Sequence, residues 1–260
     1  SAGDGLWSTA GNWDLNEQPQ KGDAVEFSGS YSSTQNVEYD ASTVATEFAS
    51  IKVNPASGTV NLTLNKSALN LTATSNALVV TSGNRLIFGT TVTQMGGGAY
   101  DPTLTDYQSG STVEYTSGSV FIDDYSALTI NGATGTSGSG TGTVSGLLTK
   151  DGADFTTAET FTAGSYTNTA GTATFSGTSL SVAGTTTLNG GTLAGSASAQ
   201  GDVVFGGGTV SGTFTFAGGN AQDISGTGAA FSNMTINKSA NDVTCSTAVS
   251  VSGTLTLTAG

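Results

Sequence analysis

The stretch Val210-Ser-Gly212-Thr-Phe214-Thr-Phe216 decides the fold of this chain. In an extended strand its apolar residues and its glycine fall on one face, and its serine and threonines fall on the other. Alternation of this kind is typical of a strand with one buried face. The β-branched threonines suit the outer, pleated surface. The stretch therefore predicts a strand that contributes to a hydrophobic interior.

The same phrase occurs twice more, from Val182 to Leu188 and from Val251 to Leu257. A recurring strand phrase is typical of a chain that stacks similar units on one another. The step from Val182 to Val210 is much shorter than the step from Val210 to Val251. Unequal steps predict irregular coils with variable loops, and the 38 glycines provide residues suited to tight corners.

A regular ladder of apolar pairs occupies positions 60 to 88. The pairs begin at Val60, Leu69, Leu78 and Leu86, at nearly equal intervals. A short strand plus a tight turn fits such an interval, and two or three intervals give a coil of about 18 to 27 residues. We therefore predict an all-β, irregular parallel β-solenoid (β-helix). An antiparallel β-sandwich is the alternative, because alternating strands with glycine turns also build that fold.

The first residues differ from the rest, since both tryptophans, Trp7 and Trp13, lie there. A stacked coil leaves its first turn open, and bulky aromatic residues are expected to cover it. We predict an N-terminal aromatic capping segment at 1–45 and a solenoid body at 46–260. The less regular sequence near 89–127 predicts a loop or insertion in that body.

Composition excludes several functions. The net charge is −13, from 6 Lys and Arg against 19 Asp and Glu, so no basic patch can meet the phosphates of nucleic acids or anionic membranes. The absence of His removes the commonest general base and metal ligand, and with it a Ser-His-Asp triad. Cys245 is the single cysteine, so no intrachain disulfide forms. No apolar run approaches the roughly 20 residues that span a bilayer. The acidic, weakly charged composition fits an extracellular protein.

Paired carboxylates are the best candidates for chemistry. Glu38 and Asp40 would share a strand face about 7 Å apart, within the range of an acid/base pair. Asp123 and Asp124 would point to opposite faces. Because no other polar motif converges on either pair, we interpret them as surface acids, with calcium ligands or catalytic acids as the alternatives. Three further acids are interpreted as turn residues first and cation ligands second: Asp151, Asp154 and Glu159.

Other polar patterns are interpreted in the same way. The glycine runs at 96–98 and 206–208 lack the lysine and helix of a phosphate loop. Regular threonine arrays on a flat solenoid face can bind ice or sugars, but uneven spacing favours plain outward faces for Thr72/Thr74, Thr91/Thr93, Thr172/Thr174, Thr213/Thr215 and Thr254/Thr256. Four tyrosines either stack on glycan rings or pack loops: Tyr100, Tyr107, Tyr115 and Tyr125. We therefore assign no catalytic, cofactor-binding or metal-binding residue and expect no enzyme activity.

Two parts of the chain resemble bacterial secreted surface proteins. The stretch from Gly5 to Trp13, followed by Gly22-Asp-Ala-Val25-Glu-Phe27, resembles the start of autotransporter-like β-strand repeat regions. The stretch from Phe231 to Leu257 is similar to adhesin-type repeats of Bacteroidota surface proteins. This resemblance implies a parallel β-solenoid, secretion, display at the cell surface and an adhesive or structural role. It implies no catalytic residue.

The leading hypothesis is therefore a structural extracellular protein, either a surface adhesin or a subunit of a self-assembling cell-surface filament. The ends of a solenoid carry unpaired strand edges, which favour end-to-end association. The alternative is a carbohydrate-binding module or polysaccharide-degrading β-helix, with surface glycans as partners. Ice binding through threonine columns is the third hypothesis.

Overall fold

The computed structural model describes residues 4–43, 45–66, 69–89, 94–95 and 100–259. About 55% of the chain is strand, and no described helix reaches seven residues. Contacts divide the chain into two compact units, Ser1–Gly118 (unit 1) and Ser119–Gly260 (unit 2). Each unit is a parallel β-solenoid, and together they contain about 10 turns. All the strand pairings in the described residues are parallel, which confirms the solenoid and excludes the antiparallel sandwich.

Unit 1 contains a short 3-10 helix at Ala10–Asn12, a second at Pro102–Leu104 and eleven described strands. The strands are Ala24–Phe27 (β1), Gln35–Tyr39 (β2), Glu47–Phe48 (β3), Ser50–Val53 (β4), Val60–Leu64 (β5), Asn70–Leu71 (β6), Leu78–Val80 (β7), Arg85–Phe88 (β8), Gln94–Met95 (β9), Thr105–Tyr107 (β10) and Thr112–Tyr115 (β11).

The described part of unit 2 is built from seventeen strands. They are Ser119–Phe121 (β12), Asp124–Tyr125 (β13), Ala127–Ile130 (β14), Gly135–Ser137 (β15), Thr141–Lys150 (β16), Phe155–Thr157 (β17), Thr160–Asn168 (β18), Thr172–Val182 (β19), Thr186–Leu188 (β20), Thr192–Ala199 (β21), Val203–Phe205 (β22), Thr209–Gly218 (β23), Gln222–Gly226 (β24), Ala229–Lys238 (β25), Val243–Cys245 (β26), Val249–Val251 (β27) and Leu255–Ala259 (β28).

Turn length differs between the units. In unit 1, Val25 pairs with Ile51 and Ile51 with Leu78. One turn of unit 1 is therefore as long as three intervals of the predicted ladder, and each interval contributes one short strand. In unit 2, Phe161 pairs with Leu180 and Leu180 with Ala197, so its turns are shorter by about a third.

The recurring phrase occupies two different positions in the turn. Val210 pairs with Phe231, and Phe231 pairs with Val251, so the step from Val210 to Val251 is two whole turns. The step from Val182 to Val210 is not a whole number of turns. Val182 instead stacks through Ala199 on Phe216, the last residue of the second copy. The coils are therefore irregular, as predicted.

Inward side chains of unit 2 form continuous apolar columns. Phe161, Leu180 and Phe214 lie in one of them, and each is fully buried. Burial of one such side chain stabilises the fold by about 2–3 kcal/mol. At an adjoining corner, a Cβ atom on Gly184 would lie 2.6 Å from the carbonyl oxygen of Gly164. Only glycine allows the backbones of successive turns to approach this closely.

An aromatic cap covers the first turn of unit 1. The Trp7 ring is fully buried, with centroids 5.1 Å from the rings of Trp13 and Tyr39 and 5.4 Å from that of Phe48. The Trp7 amide donates to the carbonyl of Glu38 at 2.8 Å, so the N-terminal segment also pairs with the outer edge of β2. The predicted aromatic cap is confirmed.

The predicted boundaries, 1–45 and 46–260, stay predictions. Within the segment 89–127, β10 pairs with β7 and β11 pairs with β8, so these strands extend the stacked columns of unit 1. Among the described residues, no helix has the length and apolar character needed to cross a membrane.

Candidate functional site

Asp40 anchors the cap. Its carboxylate accepts hydrogen bonds from the amide and hydroxyl of Ser8, at 3.0 and 2.9 Å, from the amide of Ser42 at 3.0 Å and from the hydroxyl of Thr43 at 3.1 Å. Burial acts to raise the pKa of Asp40, but these hydrogen bonds outweigh it and hold the pKa below its ordinary value of 3.8. The side chain is therefore an ionised structural acceptor.

Glu38, the predicted partner of Asp40, binds elsewhere. Its carboxylate accepts a hydrogen bond from the side-chain amide of Asn65 at 2.6 Å. Asp123 is buried and its carboxylate accepts from the Asp124 amide at 2.7 Å, whereas the Asp124 side chain is exposed. Asp40 and Asp123 are buried, so the interpretation of both pairs as surface acids is wrong for these two residues. Glu38 and Asp40 bind different partners, whereas Asp123 binds the backbone of Asp124.

The remaining predicted acids join neighbouring turns. Asp151 accepts from the Thr169 hydroxyl at 2.7 Å, and Asp154 accepts from the Thr172 amide at the same distance. Glu159 accepts from the Gly140 amide at 2.7 Å. In the parts of the chain that the structure describes, no group of three His, Cys, Asp or Glu side chains could hold a metal ion.

All six basic residues have partners. Three form ion pairs with acids: Lys21 with Glu47, Lys52 with Glu26, and Arg85 with Glu114. The others donate to backbone carbonyls: Lys66 to Thr43, Lys150 to Asp151, Gly152 and Ala170, and Lys238 to Ala217 and Asn220. Lys150 is only 1% exposed, and burial lowers its pKa although Asp151 and Asp154 act against that shift.

Three buried polar side chains in the interior of unit 2 lie close together. Tyr166 and Asn168 point inward from β18, and Thr186 stacks directly on Tyr166 in the next turn. Their buried side-chain polar atoms have no hydrogen-bond partner among the described residues. Burial raises the pKa of Tyr166 above its ordinary value. These groups lower stability and have no access to solvent, so they form no site for a soluble ligand.

Outward polar side chains of unit 2, all but one of them hydroxyl-bearing, form two columns, which we call the hydroxyl face. One column contains Thr141, Thr160, Ser179, Ser196, Thr213, Asn233 and Thr254; the other contains Thr143, Thr162, Ser181, Ser198, Thr215, Thr235 and Thr256. Successive turns lie about 4.8 Å apart and the columns about 7 Å apart. No charged residue belongs to either column.

The hydroxyl face changes the interpretation of the threonine pairs. Uneven sequence spacing suggested unrelated surface residues, yet Thr213/Thr215 and Thr254/Thr256 lie in the same two columns. The spacing is uneven because the turns have different lengths. Thr172 stacks on Thr192 in a separate column, and Thr91/Thr93 lie outside the described residues.

Three of the four tyrosines considered above as glycan-stacking rings pack inside unit 1 or unit 2. Tyr107, Tyr115 and Tyr125 are buried, and the half-buried Tyr100 makes a hydroxyl–hydroxyl hydrogen bond of 2.9 Å with Tyr107. The three buried tyrosines therefore pack the interior and do not offer rings to a glycan. Gly206 and Gly208 form a corner, where both amides donate to the Leu188 carbonyl. The glycine run at 96–98 lies outside the described residues.

A groove of about 690 Å³ lies on unit 1, between the N-terminal segment and the β1–β2 connection. Trp13 and Tyr31, both half-buried, line it together with the polar side chains of Gln35 and Asn36. Sequence reasoning missed Tyr31 because no periodic pattern marks a loop residue. The available signal was a lone aromatic residue within the serine- and glycine-rich stretch 28–33.

The turn formed by β26, β27 and β28 presents apolar residues to solvent. Leu255 and Leu257 continue the inward columns of Met234 and Ile236, yet they are 53% and 72% exposed. In the described residues no strand pairs with the outer edge of β28. Cys245 is exposed on the same turn.

No protein-family model, curated protein or solved structure matches the chain. The candidate surfaces are therefore the groove, the hydroxyl face and the exposed turn at β26–β28, and their chemistry is the basis for inferring a function.

Proposed function

We propose that this chain is a structural, non-enzymatic extracellular protein that serves as a surface adhesin or as a subunit of a self-assembling cell-surface filament. The observation that carries the proposal is the exposed turn at β26–β28. Among the described residues no strand pairs with the outer edge of β28, and the inward-column residues Leu255 and Leu257 offer apolar area to a further strand.

Charge supports association at this turn. The segment 243–259 contains no Asp, Glu, Lys or Arg, although the chain has a net charge of −13. Two copies can therefore bring these turns together without repulsion between like charges. The different hydrogen-bond partners of Glu38 and Asp40 support a role without catalysis.

Light scattering after size-exclusion chromatography, with electron microscopy of the same fractions, tests the proposal. We expect assembly that increases with concentration in the native chain and is lost in Leu257→Asp. Leu15→Asp is the matched control, because Leu15 is 75% exposed and lies in unit 1. Dispersed monomers of the native chain at high concentration would contradict self-assembly.

Ice binding is a second candidate, favoured by the hydroxyl face. An uncharged array of hydroxyl groups with two regular repeats can order water or match a crystalline surface. Thermal hysteresis measurements test it: we expect Thr215→Tyr to abolish activity and Thr167→Tyr, on another column, to leave it unchanged. Zero hysteresis in the native chain rejects this candidate.

A further inference from the structure

We propose that the groove on unit 1 binds a neutral saccharide, with Tyr31 and Trp13 as the ring-stacking platforms. This inference rests on the proposed adhesin role and gives the adhesin a ligand class. The groove has the volume of a small-ligand site, about 690 Å³, and its lining combines aromatic rings with uncharged polar side chains.

The two rings are held in place before any ligand arrives. The Trp13 indole N–H donates to the Trp7 carbonyl at 2.8 Å, and the ring packs 5.7 Å from that of Phe27. Tyr31 lies against Gly29, where a Cβ atom would approach the ring to 3.0 Å. The Tyr31 amide donates to the Ser57 carbonyl at 3.0 Å, which ties the loop to the next turn. Rigid platforms reduce the entropy lost on binding.

Sugar rings present C–H groups on one face and hydroxyl groups around the edge. Half-exposed aromatic rings match the first, and side chains with both donors and acceptors match the second. Asn36 is exposed, and its side-chain oxygen accepts a hydrogen bond from Asn61 at 2.8 Å, which orients the amide. Gln35 is fixed by donation to the Ser33 carbonyl at 3.1 Å.

Charge selects the kind of saccharide. Three acids line the groove, Asp4, Asp14 and Glu26, and no Lys or Arg is in its lining. Acidic sugars are therefore repelled. A cationic peptide is disfavoured because two of these acids already have partners. Asp4 accepts from Thr9 and Asn12, both at 2.7 Å, and Glu26 pairs with Lys52 at 3.4 Å.

An array of neutral, N-acetylated and uronic-acid oligosaccharides, followed by titration of the hits in solution, tests the inference. We expect binding of neutral or N-acetylated oligosaccharides and a blue shift of the Trp13 emission. Tyr31→Ala should weaken binding about tenfold, whereas Tyr31→Phe keeps the ring and should retain it. Circular dichroism checks that both variants are folded.

Three results would overturn the inference: no neutral oligosaccharide binding at millimolar concentration, unchanged affinity in Tyr31→Ala, or tighter binding of a lysine-rich peptide than of any sugar. Light scattering on the same variants distinguishes failure of saccharide binding from failure of the proposed self-assembly. We expect Tyr31→Ala to lose sugar binding and to keep its ability to assemble. A native chain that assembles but binds no sugar would reject saccharide binding by the groove and leave the proposed assembly unaffected.

Discussion

Replacing Tyr166 with Phe should stabilise unit 2, although the residue lies in the centre of its core. The phenol is buried, and its hydroxyl has no hydrogen-bond partner among the described residues. In the unfolded chain the same hydroxyl is hydrated, so folding costs about 1–3 kcal/mol for this group. Tyr166→Phe removes the hydroxyl and keeps the ring that packs the interior.

The expected gain is about 1–2 kcal/mol in the free energy of unfolding. For a unit of this size, each kcal/mol raises the midpoint of thermal unfolding by about 3–4 °C. Both tryptophans lie in unit 1, so unfolding of unit 2 should be followed by far-UV circular dichroism in urea and on heating.

Tyr125→Phe is the matched control, because the Tyr125 hydroxyl donates to the Phe121 carbonyl at 2.7 Å in the same unit. Its loss should lower the free energy of unfolding by about 1–2 kcal/mol. The two variants should therefore shift stability in opposite directions. If Tyr166→Phe destabilises unit 2 as much as Tyr125→Phe does, the hydroxyl of Tyr166 has a partner in solution and the reasoning is wrong.

Three further predictions concern a glycine corner, the buried Lys150 and the aromatic cap. A Cβ atom on Gly212 would overlap the carbonyl oxygen of Gly195, so Gly212→Ala should lower the free energy of unfolding, measured in urea, by roughly 3 kcal/mol or more. Gly219→Ala is the control. Its Cβ atom would meet only side-chain atoms at 3.3 Å or more, so the free energy of unfolding should hardly change. Lys150 has a lowered pKa, so the unfolded state binds the extra proton between the folded pKa and 10.5, and stability should rise with pH across that window. Lys150→Met should remove this rise, which thermal melts at a series of pH values measure. Asp40 has a folded pKa below 3.8, so its contribution is complete above 3.8 and is lost as pH falls through the folded pKa. Asp40→Asn should weaken the cap at neutral pH and flatten this acid dependence, as tryptophan fluorescence of unit 1 would report; an unchanged acid midpoint would contradict the assignment.

Sequence alone predicted the strands of both units well. Alternation at Val210–Phe216 predicts one inward and one outward face, and the structure has both. The paired tryptophans predicted the cap, because a stacked coil must cover its first turn.

The column to which each outward side chain belongs could not be predicted from the sequence. It depends on the lengths of all the preceding turns and on shifts of the strand register at the corners. The register between β23 and β25 shifts between Val210 and Thr213. The register between β19 and β21 shifts between Phe175 and Ser179. The hydroxyl face was therefore hidden in the sequence, since its members are separated by variable distances. The groove was hidden for a different reason: Tyr31 belongs to a loop, whose conformation is set by contacts with the next turn.

The two-turn relation between the phrases at Val210 and Val251 has a consequence for how a gene of this kind changes length. Unequal recombination between these two similar stretches would delete or duplicate two whole turns and would return every later side chain to its original column. The same exchange between the phrases at Val182 and Val210 would add or remove a fractional turn and join different sides of the coil. Length variants that fold should therefore arise by the first exchange and be eliminated after the second.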